Sequence, residues 1–269
     1  MTGCPGPECS VPEIGPLSWP KDGLTHDAFL GGRLLICQPR DGYRASADPV
    51  LLAAACAAEP GQSVLELGCG AGVASLCLAA RVPGLVLHGL ELQSGYAELA
   101  RWNASRNGFA MTVHDGDLTG VPAALRIGFD HVIANPPYFA PQGGTPARDP
   151  GRETAQREAT PLASWITAAR KRLHPGGWLT MINAADRLPD ILTALSAGFG
   201  STTVLPLAPR CGRPASRVLL RSRKGGRGAF RLLAPLILHA GTAHDGDRDS
   251  YTPEVAEILR AGGRISAFG

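Results

Sequence analysis

The sequence of 269 residues has no apolar run that approaches the roughly 18–20 residues needed to cross a bilayer. Its first twenty residues carry prolines, glycines and acids, but no basic segment followed by an apolar core, so we expect no secretory signal. Hydrophobic residues make up 44% of the chain and charged residues 18%, which is ordinary for a globular domain. We therefore expect a globular protein with a sizeable core and no membrane partner.

Paired cysteines and metal-ligand spacings are also missing. The seven cysteines are odd in number, scattered, and mostly placed in apolar segments, which predicts reduced thiols in a cytoplasm rather than a disulfide framework. Cys4 and Cys9 have no second pair at zinc-finger spacing. The histidine and aspartates of residues 244–249 lie in a glycine-rich stretch without fixed geometry. The sequence thus predicts no metal site, and it contains no internal repeat.

Positive charge is concentrated in one segment. Residues 205–231 contain eight basic residues and no acid, and removing these from the net charge of +3 leaves −5 on the rest of the chain. The eight are Arg210, Arg213, Arg217, Arg221, Arg223, Lys224, Arg227 and Arg231. Such a segment on a mildly acidic protein indicates a polyanionic partner. Arg217, Arg221 and Arg223 share one face of a predicted strand, which is either an RNA platform or an edge strand protected by charge.

Strands and helices alternate along most of the chain. The predicted strands are 34–36, 64–67, 85–90, 111–114, 130–134, 178–182, 202–207 and 217–222, and the predicted helices are 48–58, 73–81, 94–107, 160–173, 189–195 and 252–259. Asp48 is predicted to cap the first helix, with Pro49 at its first position. This alternation predicts a doubly wound parallel sheet, whose ligands bind outside the carboxyl ends of the strands.

Asn135-Pro136-Pro137-Tyr138 follows a predicted buried strand. Two successive prolines fix φ and remove two backbone donors, so the carbonyls before them stay free and rigidly aimed. Asn135 adds an amide carbonyl and Tyr138 adds a flat ring. The segment is either a proline-stiffened turn or a clamp for a planar amino group.

A glycine loop follows the first strand of the alternating region. Its spacing, Glu66-x-Gly68-x-Gly70-x-Gly72, differs from the G-x-G-x-x-G of dinucleotide-binding proteins, because the third glycine comes one residue early. This spacing disfavours a nicotinamide dehydrogenase. The glycines allow a ligand to approach the backbone, and the helix that follows favours an anionic group at its N-terminus.

Two acids follow the next two strands. Glu91 lies 19 residues after Gly72, where a carboxylate accepts hydrogen bonds from ribose hydroxyls. Asp117 follows the third strand and is placed to accept from an adenine amino group. The alternative interpretation is that both are acids on the surface without a role in binding. Together with the glycine loop they predict a site for an adenosyl ligand that carries a carboxylate rather than a pyrophosphate.

These motifs resemble those of the class I S-adenosylmethionine-dependent methyltransferases. The segment 66–72, Glu-Leu-Gly-Cys-Gly-Ala-Gly, looks like their first motif, Glu91 like their ribose-binding acid, and residues 135–138 like the motif of their amine-specific members. Gly68 and Asn135 lie 67 residues apart, each at a strand end. The resemblance covers about residues 60–223. It implies a Rossmann-like α/β fold with a mostly parallel seven-stranded sheet and an antiparallel final strand, and S-adenosylmethionine as cofactor.

A narrower resemblance extends to the N-terminal region. The segments 29–33, 38–44, 48–52 and 152–155, and the aromatic residue after Tyr138, are similar to those of the bacterial valine-tRNA adenine-N6 methyltransferases. Ser46-Ala47-Asp48 departs from the Gly-x-Asp usual in that family. This resemblance implies methylation of an adenine near the anticodon of a tRNA.

The resemblance also implies roles for individual residues. In the catalytic motif, the Asn135 side chain and the Pro136 carbonyl would accept the hydrogens of the target amine, while Tyr138 stacks on the base. The implied catalytic residues are Asn135, Pro136, Pro137 and Tyr138. The implied cofactor-binding residues are Glu66, Gly68, Cys69, Gly70, Gly72, Glu91, Leu92, Asp117, Leu118, Asn135, Asp48 and Arg44. The predicted substrate-binding residues are Tyr138, Phe139, Arg152, Arg217, Arg221 and Arg223.

Other functions remain open at this point. The same motif holds other planar amines, such as the N2 of an rRNA guanine, the N6 of a DNA adenine, or a release-factor glutamine. A catalytically silent RNA-binding protein with this fold is a further alternative. We expect a flexible leader at 1–23, an extension at 24–60, the methyltransferase domain at 61–239 and a C-terminal loop and helix at 240–269. The long segment 139–159 is expected to be a binding loop or disordered.

Overall fold

A computed structural model describes residues 17–138, 160–241 and 250–268. Phe139, Arg152 and the rest of the predicted binding loop lie outside these residues, so their expected roles stay predictions. Within the described ranges, no helix is long and apolar enough to cross a membrane.

The chain forms one large sheet, one small hairpin and six α-helices in the part that the structure describes. The strands are β1 Leu24–Phe29, β2 Leu34–Pro39, β3 Ser63–Leu67, β4 Val86–Glu91, β5 Met111–Asp115, β6 Phe129–Ala134, β7 Leu173–Ala184, β8 Phe199–Ala208, β9 Arg217–Lys224, β10 Arg231–Leu232 and β11 Leu236–Ile237. The helices are α1 Ala47–Ala55, α2 Val73–Arg81, α3 Ser94–Arg106, α4 Leu162–Arg172, α5 Leu188–Leu195 and α6 Pro253–Ala261.

The large sheet confirms the predicted fold class. Its order is β10-β8-β9-β7-β6-β3-β4-β5, with β11 also pairing with β8, and only the pairs of β9 with β7 and β8 are antiparallel. The core of seven strands, β3 to β9, is the expected arrangement. The two additional strands have two residues each and extend the sheet beside β8.

The core lies on both faces of this sheet. On β3, Val64 contributes to one buried cluster and Leu65 to another, because successive strand residues point to opposite faces. The first cluster contains residues of α1, α2 and α6, and the second contains residues of α4 and α5. The result is a three-layer α/β architecture in which the carboxyl ends of the parallel strands are left for a ligand.

Two local predictions are corrected by the strand positions. The interpretation of the arginine-bearing strand as a sheet edge is wrong, since β9 lies between β7 and β8. The predicted start of the next strand at residue 178 is also wrong, because β7 begins at Leu173. The pairing of β6 with β7 shifts its register between Phe129 and His131, and this shift accommodates residues 174–177 of β7. Gly177 is required there, as a Cβ would lie 2.9 Å from the Asp130 carbonyl oxygen.

The helix cap predicted for Asp48 is not formed. Helix α1 begins at Ala47, one residue earlier, and Ser46 precedes it without a side-chain cap. The Asp48 carboxylate instead accepts a hydrogen bond from Tyr138, far along the chain. A tertiary contact has therefore replaced the local one that the sequence suggested.

Asn103 of α3 and Asn107, the residue that caps the end of this helix, dock the hairpin of β1 and β2 onto the domain. Asn103 is fully buried and accepts from the Cys37 backbone N–H (2.7 Å), while its amide donates to the carbonyls of Cys37 (3.0 Å) and Ala71 (2.9 Å). One turn later, Asn107 makes the same pair of bonds to the backbone of Leu35, at 3.0 Å each. The two amides thus act as a strand edge for β2, and Asn103 also ties the hairpin to the glycine loop.

Two residues near the start of the described chain contact α3. Ser18 bonds to the Glu98 carboxylate through its backbone N–H (2.7 Å) and its hydroxyl. The Trp19 indole donates to the Gly95 carbonyl at 3.1 Å and packs edge-on against Tyr96. These contacts dock Ser18 and Trp19 on α3, within the segment predicted to be a flexible leader.

The Asn103 contacts lead to a stability prediction. Asn103→Ala would leave one buried N–H and two buried carbonyls without their side-chain partner, so we expect a loss of about 3 kcal/mol in the free energy of unfolding. Asn107→Ala is the matched control, because Asn107 is only partly buried and we expect a smaller loss. Urea denaturation followed by circular dichroism measures both. Equal losses for the two variants would contradict the role given to the buried amide.

Candidate active site

An open cleft of about 1070 Å³, measured out to solvent, lies at the carboxyl ends of β3, β4, β5 and β6. Most of the residues predicted for the cofactor and the target amine line it. These are Glu66, Gly68, Cys69, Gly70, Glu91, Leu92, Asp117, Leu118, Asn135 and Pro137. The cleft also contains residues that the sequence did not single out, namely Gln38, Tyr43, Tyr96 and Trp165.

The glycine loop is fixed by conformation and by close packing. Gly68, Gly70 and Gly72 have φ values of 65°, 52° and 84°, which L-residues rarely adopt. Gly68 has a second constraint, since a Cβ would lie 2.6 Å from the ring of Trp165. The backbone N–H groups of Gly68 and Cys69 donate to the Leu90 carbonyl, at 2.8 and 3.1 Å. The loop is thus held against the end of β4.

Glu91 joins the loop to β4. Its carboxylate accepts from the Gly70 N–H at 2.8 Å and from the Gln93 N–H at 2.9 Å. Only 7% of the residue is exposed, and burial raises the pKa of its carboxyl against the effect of these hydrogen bonds. The predicted ribose-binding acid is therefore in the cleft, and it also shapes the glycine loop.

Glu66 faces α2 and holds the start of that helix. Its carboxylate accepts from the Ser75 N–H at 3.0 Å and from the Ser75 hydroxyl at 2.5 Å, which satisfies a donor of the first helical turn. Burial raises the pKa of Glu66 to about 8, opposed by the Ser75 hydrogen bonds and assisted by the charge of Glu91. Glu66 and Glu91 therefore place two buried carboxyl groups at one wall of the cleft.

Asn135 places an unsatisfied acceptor in the cleft. Its Oδ1 is buried and has no hydrogen-bond partner among the described residues, whereas its Nδ2 donates to the Tyr43 hydroxyl at 3.4 Å. Tyr43 is itself fixed, because its backbone N–H donates to the Tyr96 hydroxyl at 2.7 Å. Buried acceptors are nearly always paired in native proteins. The bare oxygen is therefore best explained by a ligand that donates to it.

The Pro136 carbonyl lies beside this oxygen in the chain and is held by a residue that the sequence did not indicate. The Asn183 amide donates to it at 3.3 Å, and Asn183 is fully buried at the end of β7. The Asn183 Oδ1 accepts from the Ala184 N–H at 2.9 Å, which fixes the side chain. One lone pair of the Pro136 carbonyl remains for a second donor.

Tyr138 is tethered at its hydroxyl. It donates to the Asp48 carboxylate at 2.7 Å, and the guanidinium of Arg217 binds the other oxygen of the same carboxylate. Burial and the charge of Asp48 raise the pKa of Tyr138, so the phenol stays protonated. Like Pro136 and Tyr138 itself, Asp48 is not among the residues that line the cleft. Its predicted contact with a cofactor stays a prediction, and its observed contacts are with Tyr138 and Arg217.

Three further predicted cofactor residues have other contacts in the structure. Arg44 pairs with both carboxylate oxygens of Asp27, at 2.7 and 2.8 Å, and lies outside the cleft lining. Cys69 is buried and packs where a Cβ on Gly89 would meet its sulfur at 2.7 Å. Burial raises the pKa of this thiol well above its ordinary value, which agrees with a packing role. Gly72 is close to Ala100 and ends the loop at the start of α2.

The rim of the cleft combines apolar surface with one acid. Leu92 is 52% exposed, and Leu118 is partly buried. Asp117 is exposed and accepts from the Thr119 N–H at 2.7 Å. An apolar rim with a carboxylate beside it suits a flat base that carries an amino group.

The three arginines of β9 contact different groups within the protein. Arg221 lies over the rings of Trp178 and Phe268, at 5.1 and 5.3 Å from their centres, and is only partly exposed. Arg223 also lies over Trp178 and donates to the Gly176 carbonyl at 2.9 Å. Because Arg217 binds Asp48, the three arginines expected to form one RNA platform each have an internal partner. Arg223 nevertheless remains exposed, and the predicted contact of the three arginines with substrate stays a prediction.

Sequence signals for the missed residues were weak. Tyr43 and Trp165 stand in a turn and in an apolar helix face, where an aromatic residue needs no special explanation. Asn183 is a single polar residue at the end of an apolar strand. No group of three or more potential metal ligands occurs in the described residues.

Comparisons with known proteins agree with this geometry. The family model named methyltransferase small domain matches residues 47–208. A tRNA1(Val) (adenine(37)-N6)-methyltransferase from Porphyromonas gingivalis is 30% identical over 245 residues, covering 86% of this chain and 93% of the relative. A solved structure of a predicted O-methyltransferase from Agrobacterium tumefaciens has 26% identity and a TM-score of 0.64, covering 81% of this chain and 98% of that chain.

A more distant structure shows the same fold. It is the 16S rRNA N2 G1207 methyltransferase from Thermus thermophilus, in complex with AdoMet and guanosine. Its identity is 21% and its TM-score 0.52, with 75% of this chain and 50% of that chain covered.

The raised pKa of Glu66 leads to a prediction for stability against pH. Its pKa of about 8 in the folded chain lies above the ordinary 4.5, so the folded state holds the proton more tightly than the unfolded state. This contribution to stability is complete below pH 4.5 and is lost as the pH rises through 8. We expect the melting temperature of Glu66→Gln to fall less between pH 5 and pH 9 than that of the wild type. Parallel curves in differential scanning calorimetry would contradict this prediction.

Proposed function

The chain belongs to the methyltransferase small domain family and is an S-adenosylmethionine-dependent methyltransferase. We propose that it methylates the exocyclic N6 amine of an adenine in tRNA. We further propose that this adenine lies next to the anticodon. The observation that carries the proposal is the buried, unpartnered Asn135 Oδ1 in the cleft beside the glycine loop.

The residues of the cleft fit S-adenosylmethionine. Glu91, at the end of β4, would accept hydrogen bonds from the ribose hydroxyls, and the glycines of the loop would let the ligand approach the backbone. Asp117 and the apolar side chains of Leu92 and Leu118 suit the adenine. The raised pKa of Glu66 and of Glu91 supports a positively charged ligand, because such a ligand would stabilise both ionised carboxylates. When bound, the cofactor supplies an electrophilic methyl group on a sulfonium.

Asn135 and Pro136 would orient the target amine. An exocyclic amine of a base has two hydrogens in the plane of its ring. The Asn135 Oδ1 would accept one, and the remaining lone pair of the Pro136 carbonyl would accept the other. Both acceptors are held by other residues, Asn135 by its bond to Tyr43 and Pro136 by its bond to Asn183. Positioning of this kind supplies most of the rate when the reacting group is already activated.

Tyr138 would stack on the target base. An adenine must leave its own stack to reach the cleft, and stacking on an aromatic side chain contributes roughly 1–3 kcal/mol per base. Tyr138 is half-buried and directly follows the two prolines in the chain. The site needs no strong base, because the methylated amine becomes acidic after transfer.

The choice of adenine in tRNA is supported by the relatives. The P. gingivalis protein is named for adenine 37 of a valine tRNA, and the alignment covers nearly the whole of both chains. The cleft itself accepts any planar amine that reaches it. The substrate therefore has to be decided by experiment.

The direct test is methyl transfer to separate classes of substrate. The protein is incubated with labelled S-adenosylmethionine and total tRNA, total rRNA, DNA or release factor, and the products are analysed by nucleoside or peptide mass spectrometry. We expect label in tRNA alone, recovered as N6-methyladenosine. Label confined to release factor or to rRNA guanine would overturn the assignment of the substrate.

Asn135→Ala tests the orienting role. We expect turnover to fall by at least about a hundredfold, because one preorganised hydrogen-bonding group at the reacting centre is lost. We expect the dissociation constant for S-adenosylmethionine, measured by calorimetry, to stay near that of the wild type. Asn107→Ala is the control, since it makes the same change outside the cleft. Loss of cofactor binding in Asn135→Ala would assign this side chain to the cofactor instead.

A further inference from the structure

We infer that Asp48 and Arg217 are positioning residues, which lock the ring of Tyr138 in place before the substrate arrives. The inference rests on the proposed function in one respect, namely that Tyr138 receives the base. It gives two charged residues a role different from the cofactor contact and the RNA contact that the sequence suggested for them.

These contacts of Asp48 with Tyr138 and Arg217, called the lock below, join three distant parts of the chain. Asp48 is in the first turn of α1, Tyr138 follows β6, and Arg217 begins β9. The two oxygens of the Asp48 carboxylate are divided between the partners, with Oδ2 accepting from the Tyr138 hydroxyl and Oδ1 binding the Arg217 guanidinium. Loss of Tyr138 or of Arg217 therefore leaves the other contact of Asp48 in place, whereas loss of Asp48 removes both contacts.

Burial of the side chains strengthens the contacts of Asp48. The side chains of Asp48 and Arg217 are 14% and 25% exposed, so water competes little for them. Hydrogen bonds to an ionised carboxylate are shorter and stronger than neutral ones. The guanidinium of Arg217 binds the second oxygen and so fixes the plane of the carboxylate. The phenol, whose pKa is raised by burial and by Asp48, remains a donor throughout the ordinary pH range.

The lock has a consequence for binding. Tyr138 follows two prolines that fix the backbone but leave its own side chain free to rotate. The bond to Asp48 removes that freedom in the absence of substrate. A base then meets a ring that is already oriented, and binding does not have to order it. The N-terminal extension thereby takes part in recognition of the base, although Asp48 itself does not line the cleft.

A measurement without any substrate tests the lock. The chain has four tyrosines, so labelling with 3-fluorotyrosine gives four fluorine NMR signals, and Tyr138→Phe identifies the signal of Tyr138. We expect Asp48→Asn and Arg217→Lys each to shift or narrow that signal, because the ring gains freedom. Tyr251 is the internal reference, because it is far from Tyr138 in the sequence and stacks on His239. An unchanged Tyr138 signal in both variants would overturn the inference.

Kinetic coupling tests how the lock acts. We expect Asp48→Asn to lower kcat/KM for tRNA about tenfold, the loss of one charge-assisted hydrogen bond, and to leave the affinity for S-adenosylmethionine unchanged. In a Tyr138→Phe background, the same substitution should cause no further loss, because the hydroxyl through which Asp48 acts is absent. Asp190→Asn is the matched control, since Asp190 also pairs with an arginine but is exposed.

Two results would contradict the inference. Loss of affinity for S-adenosylmethionine in Asp48→Asn would make Asp48 a cofactor ligand, and losses that add in the double variant would mean that Asp48 acts independently of Tyr138. Failure of the wild type to methylate tRNA would refute the proposed function but not the lock, which the fluorine spectra decide separately.

Discussion

Parallel pairing of β3 with β4 on one side and with β6 on the other is the constraint on which the site depends. In this register Leu67 lies opposite both Leu90 and Ala134, so the three strands end at the same level. The glycine loop, Glu91 and Asn135 each follow one of these ends. A shift of one residue in either pairing would turn the flanking side chains to the wrong face and would separate the acceptor from the loop.

The electrostatics of the cleft follow from the same arrangement. Two buried carboxylates hold the backbone, Glu66 at the start of α2 and Glu91 at the glycine loop. Both have raised pKa values because burial disfavours their charge. A positive ligand is thus favoured at one wall, and a hydrogen-bond donor is favoured at the bare oxygen of Asn135. A sulfonium cofactor opposite an exocyclic amine satisfies both requirements.

Much of this could be predicted from the sequence, where the signal was local. The boundaries of α2 were predicted correctly, as were the strand ends that carry Glu91 and Asn135, because apolar runs, prolines and glycines mark them. Tertiary contacts could not be predicted. Asp48 was expected to cap a helix and instead holds Tyr138, and Arg217 was expected on an exposed face and instead pairs with Asp48. Asn103 and Asn183 have partners far along the chain, which no spacing reveals.

The central claim is that the Asn135 Oδ1 and the Pro136 carbonyl receive the two hydrogens of an adenine amine. The most direct measurement is a crystal structure with a non-reactive cofactor analogue and an anticodon stem-loop that contains the target adenine. We expect the N6 nitrogen to lie within hydrogen-bonding distance of both oxygens, with the ring of Tyr138 stacked on the base and its hydroxyl still bound to Asp48. An Asn135 Oδ1 bonded to the cofactor, with the adenine held elsewhere, would contradict it.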